Sequence, residues 1–164
     1  MQLTFENIKQ TSDLLKQQGK KIVFTNGVFD IIHRGHAYYL NRAKELGDIL
    51  IAGVNSDSSV TRLKGDGRPL NCIEDRIYVL NSLKAVDHTI VFESETPLDL
   101  IRLVKPDVLV KGGDYDPEIT DSTDSRYIVG SDIVKGYGGY VCVIDTVPGR
   151  STTLTIKKIM GENS

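Results

Sequence analysis

The sequence lacks several features that would assign it at once to a class of protein. Its 164 residues include only two cysteines and five prolines. Lys plus Arg number 20 and Asp plus Glu number 22, so the formal net charge is −2 and there is no basic excess. No apolar run approaches the roughly 18 residues of a membrane-spanning helix, and apolar residues before Lys21 are scattered among charged ones. These absences argue against a nucleic-acid-binding protein, a membrane protein and an exported one.

The scarcity of cysteine also indicates in which cellular compartment the protein works and which metal sites it lacks the residues to form. Cys72 and Cys142 lie 70 positions apart and neither belongs to a CxxC pair, which argues against a disulfide framework and a zinc ribbon. Without an export signal, we expect a reducing compartment, the cytoplasm. A composition of 40% hydrophobic and 26% charged residues is typical of one globular domain.

Five short apolar runs, rich in Val and Ile, predict buried parallel strands. They span 21–25, 48–54, 88–92, 107–110 and 140–144. Helical patterns separate them, at 4–18, 36–46, 71–84 and 96–105, and a last helix follows position 151. The order predicts an α/β fold: an open, mainly parallel five-stranded Rossmann-like sheet with helices on both faces.

Three helix starts are predicted from local signals. Asn71 and Glu74 have the spacing of a capping box. Thr96 followed by Pro97 is typical of an N-cap with proline in the first turn. Ser151 is predicted to begin the last helix, as serine is a favoured N-cap.

Ligands of open α/β sheets bind beyond the carboxyl ends of the strands, so the residues that follow strands are the candidates for ligand binding. After the first strand, His33 and His36 flank Gly35 at the start of a predicted helix. A helix N-terminus suits phosphate, and imidazoles can donate hydrogen bonds to phosphoryl oxygens. Two alternatives stay open: half of a metal site, or surface histidines without a role. Neither a Walker A loop nor a GxGxxG motif is present.

The segment Gly27-x-Phe29-Asp30-x-x-His33-x-Gly35-His36 resembles the signature of the nucleotidyltransferases related to cytidylyltransferases. The resemblance implies that both histidines are catalytic: they contact the nucleotide phosphates and stabilise the transition state as pyrophosphate leaves. It also implies that the segment Asn26, Gly27, Val28 and Phe29 lines the nucleotide site.

The segment from Lys64 to Arg76 resembles that family in its phosphate-binding residues. Lys64 lies in a loop rich in glycine and cations, and on charge alone a solvated surface loop is the alternative. The resemblance makes Lys64 catalytic and gives sugar-phosphate contacts to Asp30, Arg68 and Arg76. For Arg76, a structural ion pair on its helix is an equal alternative.

The segments after the fourth and fifth strands complete the predicted site. Lys111 and Asp114 flank two glycines and are candidates for sugar-phosphate binding, although a plain turn is the alternative. The run Arg150, Ser151, Thr152, Thr153 is a candidate for binding the triphosphate at a helix start. It resembles the family's second signature, with Arg150 as a departure. Ordinary capping by the hydroxyls is the alternative.

The resemblance extends over nearly the whole chain and implies a substrate. Several segments, among them 53–57 and 109–115, resemble the branch that joins ATP to D-glycero-β-D-manno-heptose 1-phosphate. It implies one transferase domain over 1–164, with an N-terminal helix at 1–19 and a catalytic core at 20–161. We expect Mg²⁺ to arrive with the nucleoside triphosphate, no metal site in the protein, a homodimer, and functional pairing with a separate sugar kinase.

Other activities remain open alternatives. One is a cytidylyltransferase or other nucleotidyltransferase with a different sugar or polyol phosphate, and another is a non-catalytic nucleotide-binding module. The segment 118–126 resembles an insertion near the expected sugar site and leaves the choice of acceptor open.

Overall fold

In the part of the chain that the structure describes, six parallel strands form one open sheet. The structure, a computed structural model, describes residues 1–161. The strands are β1 (Gln2–Leu3), β2 (Ile22–Gly27), β3 (Ile49–Asn55), β4 (His88–Phe92), β5 (Val108–Gly112) and β6 (Tyr140–Ile144). Their order across the sheet is β1-β4-β3-β2-β5-β6, and every neighbouring pair is parallel.

Helices connect the strands and cover both faces of the sheet. They are α1 (Ile8–Gln17), α2 (Arg34–Lys44), α3 (Asp57–Lys64), α4 (Ile73–Asn81), α5 (Leu98–Val104), α6 (Ser131–Gly136) and α7 (Thr152–Ile159). Among the helices of residues 1–161, none combines the length and apolarity needed to cross a bilayer.

Two hydrophobic clusters lie on opposite faces of the sheet because successive strand residues point to opposite sides. In the first cluster, Phe24 and Leu109 pack with Ile101 and Val134 from α5 and α6. In the second, strand residues including Val23, Leu50 and Val110 pack with α2 and α4 through side chains such as Leu40, Ala43, Ile77 and Leu80. The predicted α/β fold with helices on both faces is confirmed.

The predicted number of strands is wrong by one. Gln2 and Leu3 pair with Thr89 and Ile90 and add a sixth strand at the β4 edge. Two residues carry no periodicity, so the pattern of apolar residues could not reveal this strand. Leu3 is nonetheless 1% exposed, because this pairing buries it beneath α1 in the first cluster.

Two of the three predicted helix starts are also corrected. The residue before α4 is Cys72, and no side chain caps that helix. The side-chain amide of Asn71 instead donates to the Asp30 carbonyl. Pro97 rather than Thr96 precedes α5. The start of α7 is confirmed, since Ser151 Oγ accepts from Leu154 N at 3.1 Å.

Candidate functional site

A cleft of about 690 Å³ opens beyond the carboxyl ends of the strands. The central strand β2 has β3 on one side and β5 on the other, so the crossovers leave it in opposite directions and a crevice remains at its end. Residues at or beyond the carboxyl ends of several strands line this crevice, among them Asn26, Lys64, Lys111 and Ser151. The cleft is of the size that holds a small-molecule ligand.

The two histidines form the N-terminus of α2 and bond to its backbone. His33 is the N-cap, and its Nδ1 accepts from Gly35 N at 3.0 Å. His36 Nδ1 accepts from His33 N at 3.4 Å, which closes a capping box. An Nδ1 that accepts a hydrogen bond leaves the proton of a neutral imidazole on Nε2. Both residues line the cleft, so each neutral ring has its donor nitrogen free for a ligand.

Burial keeps these imidazoles neutral near pH 7. Burial, with a smaller contribution from the neighbouring His33, lowers the pKa of His36 to about 4. Burial and the positive charge of Arg150 also lower the pKa of His33. The ring centroids are 4.0 Å apart, a separation at which two imidazolium charges would repel strongly.

Phe29 shapes the loop that leads into the histidines. Its backbone has a φ of 51°, which is uncommon for a residue with a side chain. Its buried ring meets the His36 ring edge-on, with centroids 5.8 Å apart. A Cβ at Gly27 would lie 3.1 Å from that ring. The predicted Gly27-x-Phe29 motif therefore has a packing reason as well as a ligand-binding one.

Lys111 places a partly buried cation at the end of β5. Its Nζ donates to Asn26 Oδ1 at 2.5 Å and lies 5.5 Å from the centre of the Tyr115 ring. Burial lowers the pKa of Lys111 to about 8. Since no carboxylate among residues 1–161 pairs with it, its charge is available to an anion in the cleft.

The N-terminus of α7 meets the N-terminus of α2 beside the cleft. Thr152 Oγ1 lies 3.5 Å from the Ile31 carbonyl. A Cβ built on Gly35 would lie 2.8 Å from the His33 ring and 3.4 Å from Arg150 Cβ. Arg150, Ser151 and Thr152 line the cleft. Two helix N-termini, which both favour negative charge, thus converge there with a guanidinium.

The structure does not bring every predicted site residue to the cleft. Thr153 is exposed in the first turn of α7, and Asp114 is exposed beyond β5. Neither lines the cleft, whereas Lys64, the last residue of α3, does.

Asp30, Arg68 and Arg76 lie outside the cleft lining as well. The Arg76 side chain is 0% exposed and pairs with Asp57 at 2.7 Å. Asp30 and Arg68 pair with each other at 2.8 Å. Of the two predicted roles for Arg76, these contacts favour the structural ion pair over contact with a sugar phosphate.

Other cleft residues were not predicted as site residues. They end β3, follow β4, or lie between β5 and α7; examples are Asn55, Glu95, Thr96, Tyr115, Ser122, Ser125, Tyr127 and Thr146. Segments that contain Asn55, Tyr115, Ser122 and Ser125 were noted in the sequence, but the residue types alone did not assign these side chains to the site. Ser122 and Ser125 belong to the segment 118–126, whose base is closed by the Asp116 N to Arg126 O hydrogen bond of 3.0 Å. This segment therefore forms part of the cleft wall.

Residues 24–157 match the cytidylyltransferase-like family. The match covers both histidines, the α7 N-terminus, most of β2 and all of β3 to β6. The chain belongs to the cytidylyltransferase-like family. The family predicted from the Gly27–His36 motif is thereby confirmed.

Named relatives agree with this assignment. The chain is 54% identical over 155 residues to "Bifunctional protein HldE" of Nitratiruptor sp., which covers 94% of the chain and 31% of that protein. It is 50% identical over 159 residues to the protein of the same name from Wolinella succinogenes, covering 97% of the chain and again 31% of that protein. The chain thus spans less than a third of the length of these curated relatives.

A solved structure is also similar. The crystal structure of the lipopolysaccharide core biosynthesis protein from Thermoplasma volcanium superposes with a TM-score of 0.59 and 29% identity. The similarity covers 79% of this chain and 98% of that one. It supports the Rossmann-like architecture of the family fold.

Proposed function

We propose that this chain is a nucleotidyltransferase that joins ATP and D-glycero-β-D-manno-heptose 1-phosphate to give ADP-heptose and pyrophosphate. Membership of the cytidylyltransferase-like family supports the reaction class. The sequence resemblance to the heptose branch supports the substrate, as do relatives named HldE and a similar structure named for lipopolysaccharide core biosynthesis. The observation that carries the proposal is the pair of neutral, backbone-anchored imidazoles facing the cleft.

In this reaction a phosphate oxygen of the sugar phosphate attacks the α-phosphorus of ATP in line, and the bond to pyrophosphate breaks. No covalent intermediate with the protein is needed, so the enzyme orients the reactants and stabilises charge. The Nε2–H groups of His33 and His36 donate to phosphoryl oxygens as negative charge grows on them. The α7 N-terminus with Arg150, and the ammonium groups of Lys64 and Lys111, hold the remaining phosphate charge.

A divalent ion, Mg²⁺, would enter with the triphosphate and neutralise part of its charge. Mg²⁺ often keeps several waters and binds through substrate phosphates, so the proposal needs no dedicated metal site in the protein. A homodimer, pairing with a separate sugar kinase, and cytoplasmic location remain predictions from the sequence.

A panel of nucleoside triphosphates against sugar and polyol phosphates tests the proposal, with pyrophosphate release as the readout. We expect release with ATP plus the heptose 1-phosphate and little with other pairs. Turnover of CTP with a polyol phosphate instead would assign the chain to another substrate within the family. Nucleotide binding without release for any pair would assign it to the non-catalytic alternative.

A further inference from the structure

We propose that Asp30, Arg68 and Arg76 are positioning residues that clamp two loops of the site together and do not contact the sugar phosphate. One loop, residues 28–33, links β2 to α2 and ends at His33; the other, residues 65–72, follows Lys64 and precedes α4. The inference rests on the proposed function in that it assigns these residues a part in phosphate transfer.

Asp30 has no free capacity for a substrate hydroxyl. Its side chain is 1% exposed and accepts from Arg68 Nε at 2.9 Å, from Leu70 N at 2.9 Å and from Asn71 N at 2.8 Å. Burial raises the pKa of Asp30, but these hydrogen bonds outweigh it and hold the pKa below its usual value. The ionised carboxylate of Asp30, in the first loop, therefore binds three residues of the second loop.

Arg76 also connects these two loops, and it does so with all three nitrogens of its guanidinium group. It donates to the Val28 carbonyl at 2.6 Å, to the Asn71 carbonyl at 3.1 Å and to Asp57 Oδ1 at 2.7 Å. Asp57 is the first residue of α3, the helix that ends at Lys64. The Arg76 side chain is fully buried and lies outside the cleft lining, so none of its N–H groups faces a ligand in the cleft.

The clamp fixes the position of catalytic groups relative to one another. Val28 and Asp30 flank Phe29, whose ring packs against His36. On the other side, Thr61 Oγ1 donates to the Arg68 carbonyl at 2.8 Å, which ties the second loop to the helix bearing Lys64. A shift of about 1 Å between groups that must act on one phosphate can cost on the order of 100-fold in rate.

Steady-state kinetics of Arg68→Gln separate the two roles, because Arg68 is 23% exposed and its replacement leaves the core intact. Positioning predicts that kcat falls roughly 10- to 100-fold while KM for the sugar phosphate changes less than about threefold. Direct contact predicts a large rise in that KM. Arg68→Lys should recover little, since lysine cannot bind a carboxylate bidentately.

A double-mutant cycle with Asp30→Asn sharpens the distinction. If Arg68 acts through Asp30, the double variant loses about as much kcat as either single variant. Additive losses would indicate that Arg68 contacts the substrate independently and would overturn the proposal. Arg42→Gln is the matched control, since Arg42 pairs with Glu45 on the exposed side of α2 and its loss should leave kcat unchanged.

Amide hydrogen exchange of the free protein gives a readout that does not depend on turnover. In Arg68→Gln we expect the Leu70 and Asn71 amides to exchange at least about tenfold faster, because their acceptor is no longer held. Unchanged exchange would refute the clamp even if the kinetics were altered. If the wild-type protein turns over another substrate pair, the substrates proposed above are wrong. The clamp is then tested by the same kinetics with that other pair.

Discussion

At the scale of single residues, each of the two histidines has a structural role and a proposed chemical role in one ring. Their Nδ1 atoms cap α2, which leaves Nε2 for the proposed contact with phosphate. A short motif could predict the chemistry, because His33 and His36 are close in sequence. It could not predict that Asp30 meets Leu70 and Asn71, since that contact joins positions 40 residues apart.

We expect His36→Ala to lower kcat by roughly 10²- to 10³-fold, as for the loss of one preorganised donor to a developing charge. Pyrophosphate release under saturating substrates measures it. His33→Asn is the companion variant: asparagine is a good N-cap and preserves the helix start, but it removes the Nε2 donor. It should therefore lose kcat while keeping its melting temperature. Near-wild-type turnover of His36→Ala would contradict the catalytic role.

Lys111 should impose a pH dependence on substrate capture. With a pKa of about 8, its ammonium is charged at pH 7 and loses its proton as the pH rises through 8. The charged form binds phosphate, so kcat/KM for ATP should fall above about pH 8. Lys111→Met, which keeps the stem but removes the charge, should have low kcat/KM and lack that alkaline limb. If kcat/KM for ATP still falls above pH 8 in the variant, the titration belongs to another group.

At the scale of elements, the start of α2 depends on room for the ring that caps it. Gly35 in the first turn of α2 provides this room, since a Cβ there would lie 2.8 Å from the His33 ring, whereas Arg150 Cβ at 3.4 Å would be in ordinary contact. The longer helices and strands could be predicted because each is long enough to show a recognisable pattern of apolar residues. The two-residue β1 and the six-residue α6 were not, because their formation depends on distant partners.

Gly35→Ala should lower kcat at least about tenfold with a modest loss of stability, because the His33 ring must rotate away and its cap hydrogen bond breaks. Gly136→Ala is the matched control: it also lies in a helix, and a Cβ there meets no atom within 4 Å. That variant should keep full activity and gain slightly in stability. Equal activity of both variants would show that the room Gly35 leaves for the His33 ring is not needed.

At the scale of the whole molecule, the sheet order places five strand ends around one cleft and a sixth strand at the far edge. The five were predicted as elements, and the segment 118–126 was expected near the site, but which of its side chains and of those after β4 line the cleft needed the three-dimensional arrangement. Their residue types are ordinary for loops, so composition does not distinguish them from solvated residues.

The same arrangement links folding stability to pH. His36 has a pKa near 4 in the fold and about 6.5 when unfolded, so the unfolded chain binds the proton more tightly. Stability should therefore be full above about pH 6.5 and should fall as the pH drops from 6.5 towards 4. Melting temperatures between pH 7 and pH 5 measure this. His36→Gln should reduce the slope, and an unchanged slope would assign it to other groups.

The capping of α2 by imidazole nitrogens also has a spectroscopic consequence. A solvated neutral histidine exchanges rapidly between its two tautomers, so its ring nitrogens give averaged signals. In this protein the backbone amides of Gly35 and His33 hold each Nδ1 as an acceptor, so each ring is confined to one tautomer. The nitrogen resonances of His33 and His36 should thus be resolved as separate pyridine-like and pyrrole-like signals, which gives two built-in reporters of phosphate arriving at the cleft.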